Sequence, residues 1–297
     1  MALITRQDTA ITAAYPPPAH APGRPSYRLR RTLVGVAVGA LLAALIGLGL
    51  FTARWMTGPT CKATAGDMTF AFTPEQLRNA SLITSVAIKR DLPPRAATIA
   101  IATAMQESEL RNLDYGDRDS VGLFQQRPSQ GWGSIEEIMD PLYAAGKFYD
   151  ALVTIDDYED RSITEVAQEV QRSAYPDAYA DHEDQGRVLA SALTGHSPAG
   201  IACRLGDAGT GDAAALADDL TSQLGHDAAV DGATVTVAAG STQDAWAVAA
   251  WAAGQAERYA VTDVAAAGRA WHRARDPLTW GPSAATADAT TVTITVA

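Results

Sequence analysis

The sequence predicts a mainly α-helical ectodomain that follows one transmembrane helix and carries a small C-terminal α/β or α+β module. Three observations lead to this fold class. An uncharged stretch runs from Thr32 to Ala53, helical patterns recur between residues 69 and 203, and alternating strand patterns begin only after residue 213. A chain of 297 residues, 47% of them hydrophobic, is long enough for one large domain or two modest ones.

The N-terminal part is predicted to anchor the chain. Residues 1–31 are rich in Pro, Ala and polar groups, which is typical of a disordered tail. Residues 32–53 can cross the hydrocarbon core of a bilayer, which needs about 20 residues as a helix. Basic residues precede this span and place the tail in the cytoplasm, at Arg24, Arg28, Arg30 and Arg31. The predicted location is therefore the cell membrane, single-pass, with the C-terminal domains extracytoplasmic.

Two alternatives concern the same span. A cleaved signal peptide is the competing interpretation, although its apolar region would be shorter and would end in a small-x-small site. Gly35 and Gly39 form a GxxxG pattern. This pattern could join two spans into a homodimer, or it could simply reflect a Gly- and Ala-rich composition.

The region beyond the span is predicted to contain one disulfide. Residues 54–68 are expected to form a stalk, and the chain has two cysteines, Cys61 and Cys203. An extracytoplasmic location permits a bridge between them, and two unrelated buried thiols are the alternative. No metal site is expected at these cysteines, because neither lies in a CxxC pattern or beside a close His. A net charge of -11 argues against nucleic-acid binding.

Residues 69–203 are predicted to be mostly helical. Thr73 is an N-cap, Pro74 takes the first helical position and Gln76 completes a capping box. A second helix is expected from about Arg95 to Ser108, and a third from Ile135 to Leu152. Two more follow, in the segments SITEVAQEVQRSAY and DQGRVLASALTG.

A Gly/Asp-rich linker at 204–212 separates this region from a module at 213–297. That module is predicted to contain the helices AAALADDLTSQLG and TQDAWAVAAWAAGQAERYA and the strands ATVTVAA, VTDVAAAGRAWHR and TTVTITVA. Its tryptophans are expected in a core rather than on a ligand platform. His226 and His272 lie far apart in sequence and are not expected to be catalytic.

The candidate for chemistry is Glu107. In a helix it shares one face with Ile99, Ala100, Thr103 and Ala104. A carboxyl group at the end of such a face loses solvent, which raises its pKa and lets it donate a proton near neutral pH. Cleavage of a glycoside needs such an acid. A carboxylate that simply reaches solvent from the last helical turn is the alternative.

The segment from Glu107 to Gln125 resembles the core motif of the lysozyme-like superfamily, of the soluble lytic transglycosylase type. The matching pieces are Glu107-Ser108 and Gly122-Leu123-Phe124-Gln125, and the Gly lies 15 positions after the Glu. The resemblance covers roughly Phe70 to Leu193 and is closest to membrane-anchored actinobacterial forms. It implies a lysozyme-like ectodomain.

The resemblance also implies roles. Glu107 would be the single general acid and then base, and Ser108 would help to orient it. Gly122, Leu123, Phe124 and Gln125 would line a glycan cleft. Tyr175 occupies the position of the family's tyrosine, although Pro176 and Asp177 replace the usual Asn-Ala that follows. No cofactor is implied.

The loop between the two pieces departs from the family because it is acidic. Asp114, Asp117 and Asp119 could serve as second carboxylates, which an inverting hydrolase uses to activate water. They could also bind a hard cation, although the spacing lacks the pattern of a calcium loop. Turn formation and surface charge are the third reading.

The expected function is cleavage of the MurNAc–GlcNAc bond in peptidoglycan by a membrane-anchored lytic transglycosylase or muramidase. The expected partners are glycan strands and the membrane. The alternative is a catalytically inactive lysozyme-like protein that binds glycan or a partner in the envelope, because a fold can keep its cleft and lose its chemistry. A transport role is least favoured, since the single span carries no charged residue that could mark an ion path.

Overall fold

A computed structural model describes residues 58–171, 176–273, 278–284 and 288–297, together with the single positions Ala40 and Ala44. The predicted tail at 1–31 and the GxxxG pair Gly35 and Gly39 lie outside these residues, as does the predicted span at 32–53 apart from Ala40 and Ala44. All three stay predictions. Within the described residues, no helix combines the length and the apolar character that crossing a bilayer requires.

The protein has an α+β fold. In chain order its first half contains β1 (Thr60–Ala65), β2 (Met68–Phe72), α1 (Pro74–Lys89), α2 (Pro94–Ser108), α3 (Ile135–Ile138), α4 (Pro141–Leu152), α5 (Ile163–Gln171), α6 (Glu183–Leu193) and β3 (Ile201–Arg204). Two 3₁₀ turns lie at Pro128–Gln130 and Pro176–His182. The second half contains α7 (Ala213–Leu224), β4 (Ala228–Asp231), β5 (Thr234–Ala238), α8 (Thr242–Gly254), β6 (Val261–Ala266), β7 (Arg269–His272), β8 (Gly281–Pro282) and β9 (Thr291–Val296).

The predicted fold class is therefore wrong, because the described part of the chain is α+β rather than mainly α. Two antiparallel sheets are present, one with the order β2-β1-β3 and one with the order β4-β5-β9-β6-β7-β8. The error arose at residues 54–68, which were expected to form a stalk. There β1 and β2 form a hairpin around Gly66, which has a φ of 60°. The segment CKATAGDMTFAF carries a strand signal, because small and apolar residues alternate with polar ones on both sides of a Gly-Asp turn.

The disulfide closes the smaller sheet. Cys61 on β1 and Cys203 on β3 lie directly opposite each other in the antiparallel register, and their sulfur atoms are bonded. Both residues are 1% exposed. The cross-link therefore joins the two ends of the helical region from inside the core.

The helix predictions follow the capping residues well. α1 begins after Thr73, and both hydrogen bonds of the predicted capping box are present. The single helix expected from Ile135 to Leu152 is instead two helices, α3 and α4. Pro141 explains the break, because proline lacks the N–H that a continuous helix needs, and the Asp140 side chain caps the new helix by accepting from Leu142 N at 2.9 Å.

The Ala-rich α2 is the centre of the helical region and is buried along most of its length. It packs against α1, α6 and the 3₁₀ turn Pro176–His182. The crossing with α6 is close, since a Cβ on Gly186 would lie 2.7 Å from the backbone oxygen of Thr98. A rigid, buried helix therefore delivers Glu107, which lies in its last turn.

The C-terminal region packs onto the same core. Trp271 Nε1 donates to Cys203 O at 2.9 Å, Trp280 Nε1 donates to Ile201 O at 2.6 Å, and Gln255 Nε2 donates to Ser81 Oγ at 2.8 Å. Thr57–Ala297 is one compact unit. The tryptophans lie in the core as predicted, and the boundary predicted at 204–212 stays a prediction about independent folding.

Candidate functional site

Glu107 lies where α2 ends and the chain turns away. The two residues that follow α2, Glu109 and Leu110, have φ values of 53° and 57°, in the left-handed region that ends helices. α1 holds this turn, because Gln76 Nε2 donates to Glu109 O at 3.1 Å and Asn79 Nδ2 donates to Leu110 O at 2.7 Å. α1 therefore fixes the turn that directly follows Glu107 and Ser108.

The Glu107 carboxyl group is half-buried and hydrogen-bonded. Burial raises its pKa above the ordinary value, because the charged form loses hydration. Hydrogen bonds from Tyr179 and Gln171 act in the opposite direction. Tyr179 Oη lies 2.6 Å from Glu107 Oε1, and the tyrosine is completely buried. The net pKa is raised, so this group keeps its proton at a higher pH than an exposed glutamate does.

Ser108 joins the end of α2 to the predicted turn at 122–125. Its Oγ donates to Leu123 O at 2.7 Å and lies 3.0 Å from Ala104 O. From the opposite side, Gln171 Nε2 donates to Phe124 O at 2.7 Å. Two consecutive carbonyl groups of the turn are therefore bonded to residues that adjoin or contact Glu107.

The side chains of Leu123 and Phe124 do not face a ligand. Both are fully buried, and the ring of Phe124 stacks on Phe148 with 4.7 Å between centroids. Their contribution to the site is the position of the backbone, rather than the cleft wall that the resemblance implies.

The Gln125 side chain links the acidic loop to the turn at 122–125 by hydrogen bonds. Its Nε2 donates to Tyr115 O at 3.3 Å and to Gly122 O at 3.2 Å. Gly116 leaves room for this contact, since a Cβ there would lie 1.8 Å from Gln125 Oε1. The loop thus crosses beside the turn in a held conformation, with the Tyr115 side chain 63% exposed.

Gly122 is required by both its backbone conformation and its surroundings. Its φ is 81°, and a Cβ at this position would lie 2.9 Å from the backbone oxygen of Ile138. Gly131 has a similar φ of 85°, but a Cβ there would meet nothing within 4 Å.

We expect Gly122→Ala to lower the free energy of unfolding by roughly 1–3 kcal/mol, because a left-handed conformation and a backbone contact are both strained. Urea denaturation measures this change. Gly131→Ala is the matched control, since it carries the conformational cost alone and should lose less. Equal losses for the two variants would contradict a role for the Ile138 contact.

Of the three aspartates in the loop, Asp119 is a structural residue. Its carboxylate accepts from Arg127 Nε at 2.8 Å, from Ser129 N at 2.8 Å and from Ser129 Oγ at 3.1 Å. These bonds hold its pKa well below the ordinary value, and the bond from Arg127 has the largest effect. Asp114 and Asp117 are exposed. Across the described ranges, no cluster of three or more His, Cys, Asp or Glu residues could hold a metal ion.

Gln171, which contacts Glu107 and the turn at 122–125, also lines a cleft of about 520 Å³. Its wall comes from the 3₁₀ turn Pro128–Gln130, the end of α4 and the end of α5, and includes Gln130, Trp132, Thr154, Ile155 and Glu169. Gln171 therefore contacts three parts of the region: the cleft, the Phe124 carbonyl and the Glu107 carboxyl group.

Sequence reasoning missed two of the residues that contact Glu107. Tyr175 was the predicted tyrosine and lies outside the described residues, whereas Tyr179, four positions later, donates to Glu107. The segment SAYPDAYADH contains two Ala-Tyr pairs, and the second was overlooked. Gln171 carried no signal, because a polar residue at the end of a helix has many ordinary roles.

Comparison with protein-family models and with curated proteins finds no match for this chain.

Proposed function

We propose that this protein cleaves the glycan strands of peptidoglycan, with Glu107 as its single general acid and base. The observation that carries the proposal is the Glu107 carboxyl group itself. It is half-buried, its pKa is raised, a buried tyrosine bonds it, and it adjoins a turn whose carbonyl groups are held by Ser108 and Gln171. A pre-positioned acid with a raised pKa is what departure of a sugar oxygen needs.

The proposed reaction begins with proton transfer from Glu107 to the glycosidic oxygen between N-acetylmuramic acid and N-acetylglucosamine. The bond from that oxygen to the anomeric carbon breaks, with an oxocarbenium-like transition state. The C6 hydroxyl of the muramoyl residue then attacks the anomeric carbon and gives its proton to the Glu107 carboxylate. This step closes a 1,6-anhydro ring and restores the acid. Attack by water in place of the C6 hydroxyl gives hydrolysis with the same proton transfers.

The state of Asp119 favours a single-carboxylate mechanism. An inverting hydrolase needs a second carboxylate that accepts a proton from water. Asp119 is a weak base, because its oxygens already accept three hydrogen bonds and its pKa is lowered. A nucleophile that belongs to the substrate, the C6 hydroxyl, needs no second protein carboxylate.

The cleft next to Gln171 is the proposed glycan site. Its volume of about 520 Å³ is within the range of small-molecule pockets. Trp132 offers an aromatic surface there, and Gln130, Thr154 and Gln171 offer neutral hydrogen-bonding groups that suit sugar hydroxyls. The same cleft could bind glycan without cleaving it, which is the alternative function.

The proposed location is outside the cytoplasm, where the substrate is found. The disulfide between Cys61 and Cys203 supports this, because such bonds persist in oxidising compartments. The membrane span predicted from the sequence stays a prediction.

The test is mass spectrometry of isolated peptidoglycan after incubation with the purified full chain. Anhydromuramoyl ends would show ring closure, and reducing muramic acid ends would show hydrolysis. Intact glycan that nevertheless sediments with the protein would establish the binding function and overturn the enzymatic one.

Tyr179→Phe should change the pH dependence of cleavage. The Tyr179 hydrogen bond lowers the pKa of Glu107, so its removal raises that pKa further. Glu107 then stays protonated to a higher pH, and the alkaline limb of the pH–rate profile shifts to higher pH. The rate at the optimum should fall roughly tenfold, because the carboxylate that forms as Glu107 gives up its proton loses a hydrogen bond.

Tyr158→Phe is the matched control, since Tyr158 also packs against the core but is not among the hydrogen-bond partners of Glu107 in the described part of the chain. It should leave the profile in place. A Tyr179→Phe profile that coincides with that of the parent would contradict the assigned contact.

A further inference from the structure

A second cavity, of about 290 Å³, shares no lining residue with the cleft at Gln171. It lies among α1, the loop that follows α2, the start of α4, α7 and Arg258. Its charged residues are Arg78, Asp140, Asp219 and Arg258, and its apolar residues include Leu82 and Leu142. Nothing in the proposed glycan reaction uses it.

The charged side chains of this cavity differ in how many hydrogen-bond and ion-pair partners they have. Arg258 pairs with Asp219 at 3.4 Å, and Tyr259 also donates to Asp219. Asp140 accepts one bond, from Leu142 N, and a carboxylate can accept about four. By contrast, the Arg78 guanidinium has no ion pair or hydrogen bond among the described residues. A guanidinium in this state suits a carboxylate, which it can bind with two parallel hydrogen bonds.

The walls are also short of hydrogen-bond donors. The amide groups of Asn79 and Asn112 use their nitrogen atoms to donate to Leu110 O and Met139 O, at 2.7 and 2.8 Å. Their oxygen atoms are buried and have no donor within the described ranges. The Asp140 carboxylate is exposed and keeps spare acceptor capacity, which favours a ligand that brings N–H donors and positive charge.

We propose that this cavity binds a free α-amino acid with an aliphatic side chain. The carboxylate of the amino acid pairs with Arg78, its ammonium group pairs with Asp140, and its side chain contacts Leu82 and Leu142. An amino acid satisfies both requirements at once, whereas a simple carboxylate or amine satisfies one. The site lies next to the loop after α2, because Asn79 and Asn112 belong both to the cavity wall and to the contacts that hold that loop and its neighbours.

The test is calorimetric titration of the full chain with leucine and with its two halves, 4-methylpentanoate and 3-methylbutylamine. Leucine should bind at one saturable site, and each half should bind roughly tenfold more weakly or worse, because it lacks one charged contact. Arg78→Gln should weaken leucine binding by about the same factor, and it should reduce the advantage of leucine over the amine.

Arg187→Gln is the matched control. Arg187 is an exposed arginine on α6 that pairs with Asp184 and does not line the cavity, so leucine binding should be unchanged. Absence of saturable binding, or equal affinity in the Arg78→Gln variant and the parent, would overturn the proposal. Neither result bears on glycan cleavage, which is measured separately.

Discussion

Glu107→Gln is expected to reduce peptidoglycan cleavage by a factor of about 10²–10⁴, the usual contribution of a general acid. Glutamine keeps the size of the side chain and an oxygen that can accept from Tyr179, but it has no proton to give to the departing sugar oxygen. The rate of release of soluble muropeptides from isolated peptidoglycan measures the effect.

Glu109→Gln is the control for this substitution, because Glu109 is an exposed neighbour with no place in the proposed chemistry. It should cleave at the parental rate. If Glu107→Gln retained that rate as well, the assignment of the general acid would be wrong. If neither the parent nor the variants released fragments, the binding function would stand in its place.

Glu107→Gln should not lower the stability of the fold at neutral pH. A raised pKa means that the folded state binds the proton more tightly than the unfolded chain does, so stability falls as pH rises above the unfolded value of about 4.5 towards and through the folded pKa. Glutamine carries no charge and avoids this loss. We therefore expect the melting temperature of Glu107→Gln at pH 7 to equal or exceed that of the parent.

Removal of the disulfide is expected to have the largest effect on stability. The double variant Cys61→Ala, Cys203→Ala frees a loop with a sequence separation of 142 residues. The chain-entropy model assigns such a cross-link about 5 kcal/mol, because the unfolded chain regains the freedom that the bond removed. Alanine is the suitable replacement, since both positions are buried and apolar. Equilibrium denaturation in urea measures the loss.

The control for the disulfide is the single variant Cys61→Ala, which also lacks the bond. It should lose about as much as the double variant, since in both the cross-link is the main term. A double variant within about 1 kcal/mol of the parent would contradict a dominant role for the bond.

The sequence predicted elements where a local chemical signal exists. α1 was predicted from Thr73, Pro74 and Gln76, and the capping box forms as expected. The tryptophans of the C-terminal module were expected in a core, and Trp246 and Trp251 of α8 are buried there. The Cys61–Cys203 pair was proposed from the number of cysteines and the compartment, and the register of β1 with β3 brings the two residues together.

What the sequence could not supply depends on pairing over long distances. The β1–β2 hairpin has a local strand signal that was not used, whereas β3 joins β1 only through tertiary contacts. In the candidate site, Glu107 and Ser108 could be selected from a motif. Tyr179 could not, because 72 positions separate it from Glu107 and only the packing of the second 3₁₀ turn against α2 brings them together.

The pairing of β1 with β3 also determines when the disulfide can form during synthesis of the chain. At a synthesis rate of roughly 5–20 residues per second, the 142 positions between Cys61 and Cys203 take roughly 7–30 s to appear. During that interval Cys61 is a thiol without its partner, and any oxidase or foreign thiol that meets it competes with the correct bond. Trp271 and Trp280, which donate to the backbone of β3, appear later still. Because these contacts to β3 arrive last, we expect the native bond to form efficiently only after the whole chain is present.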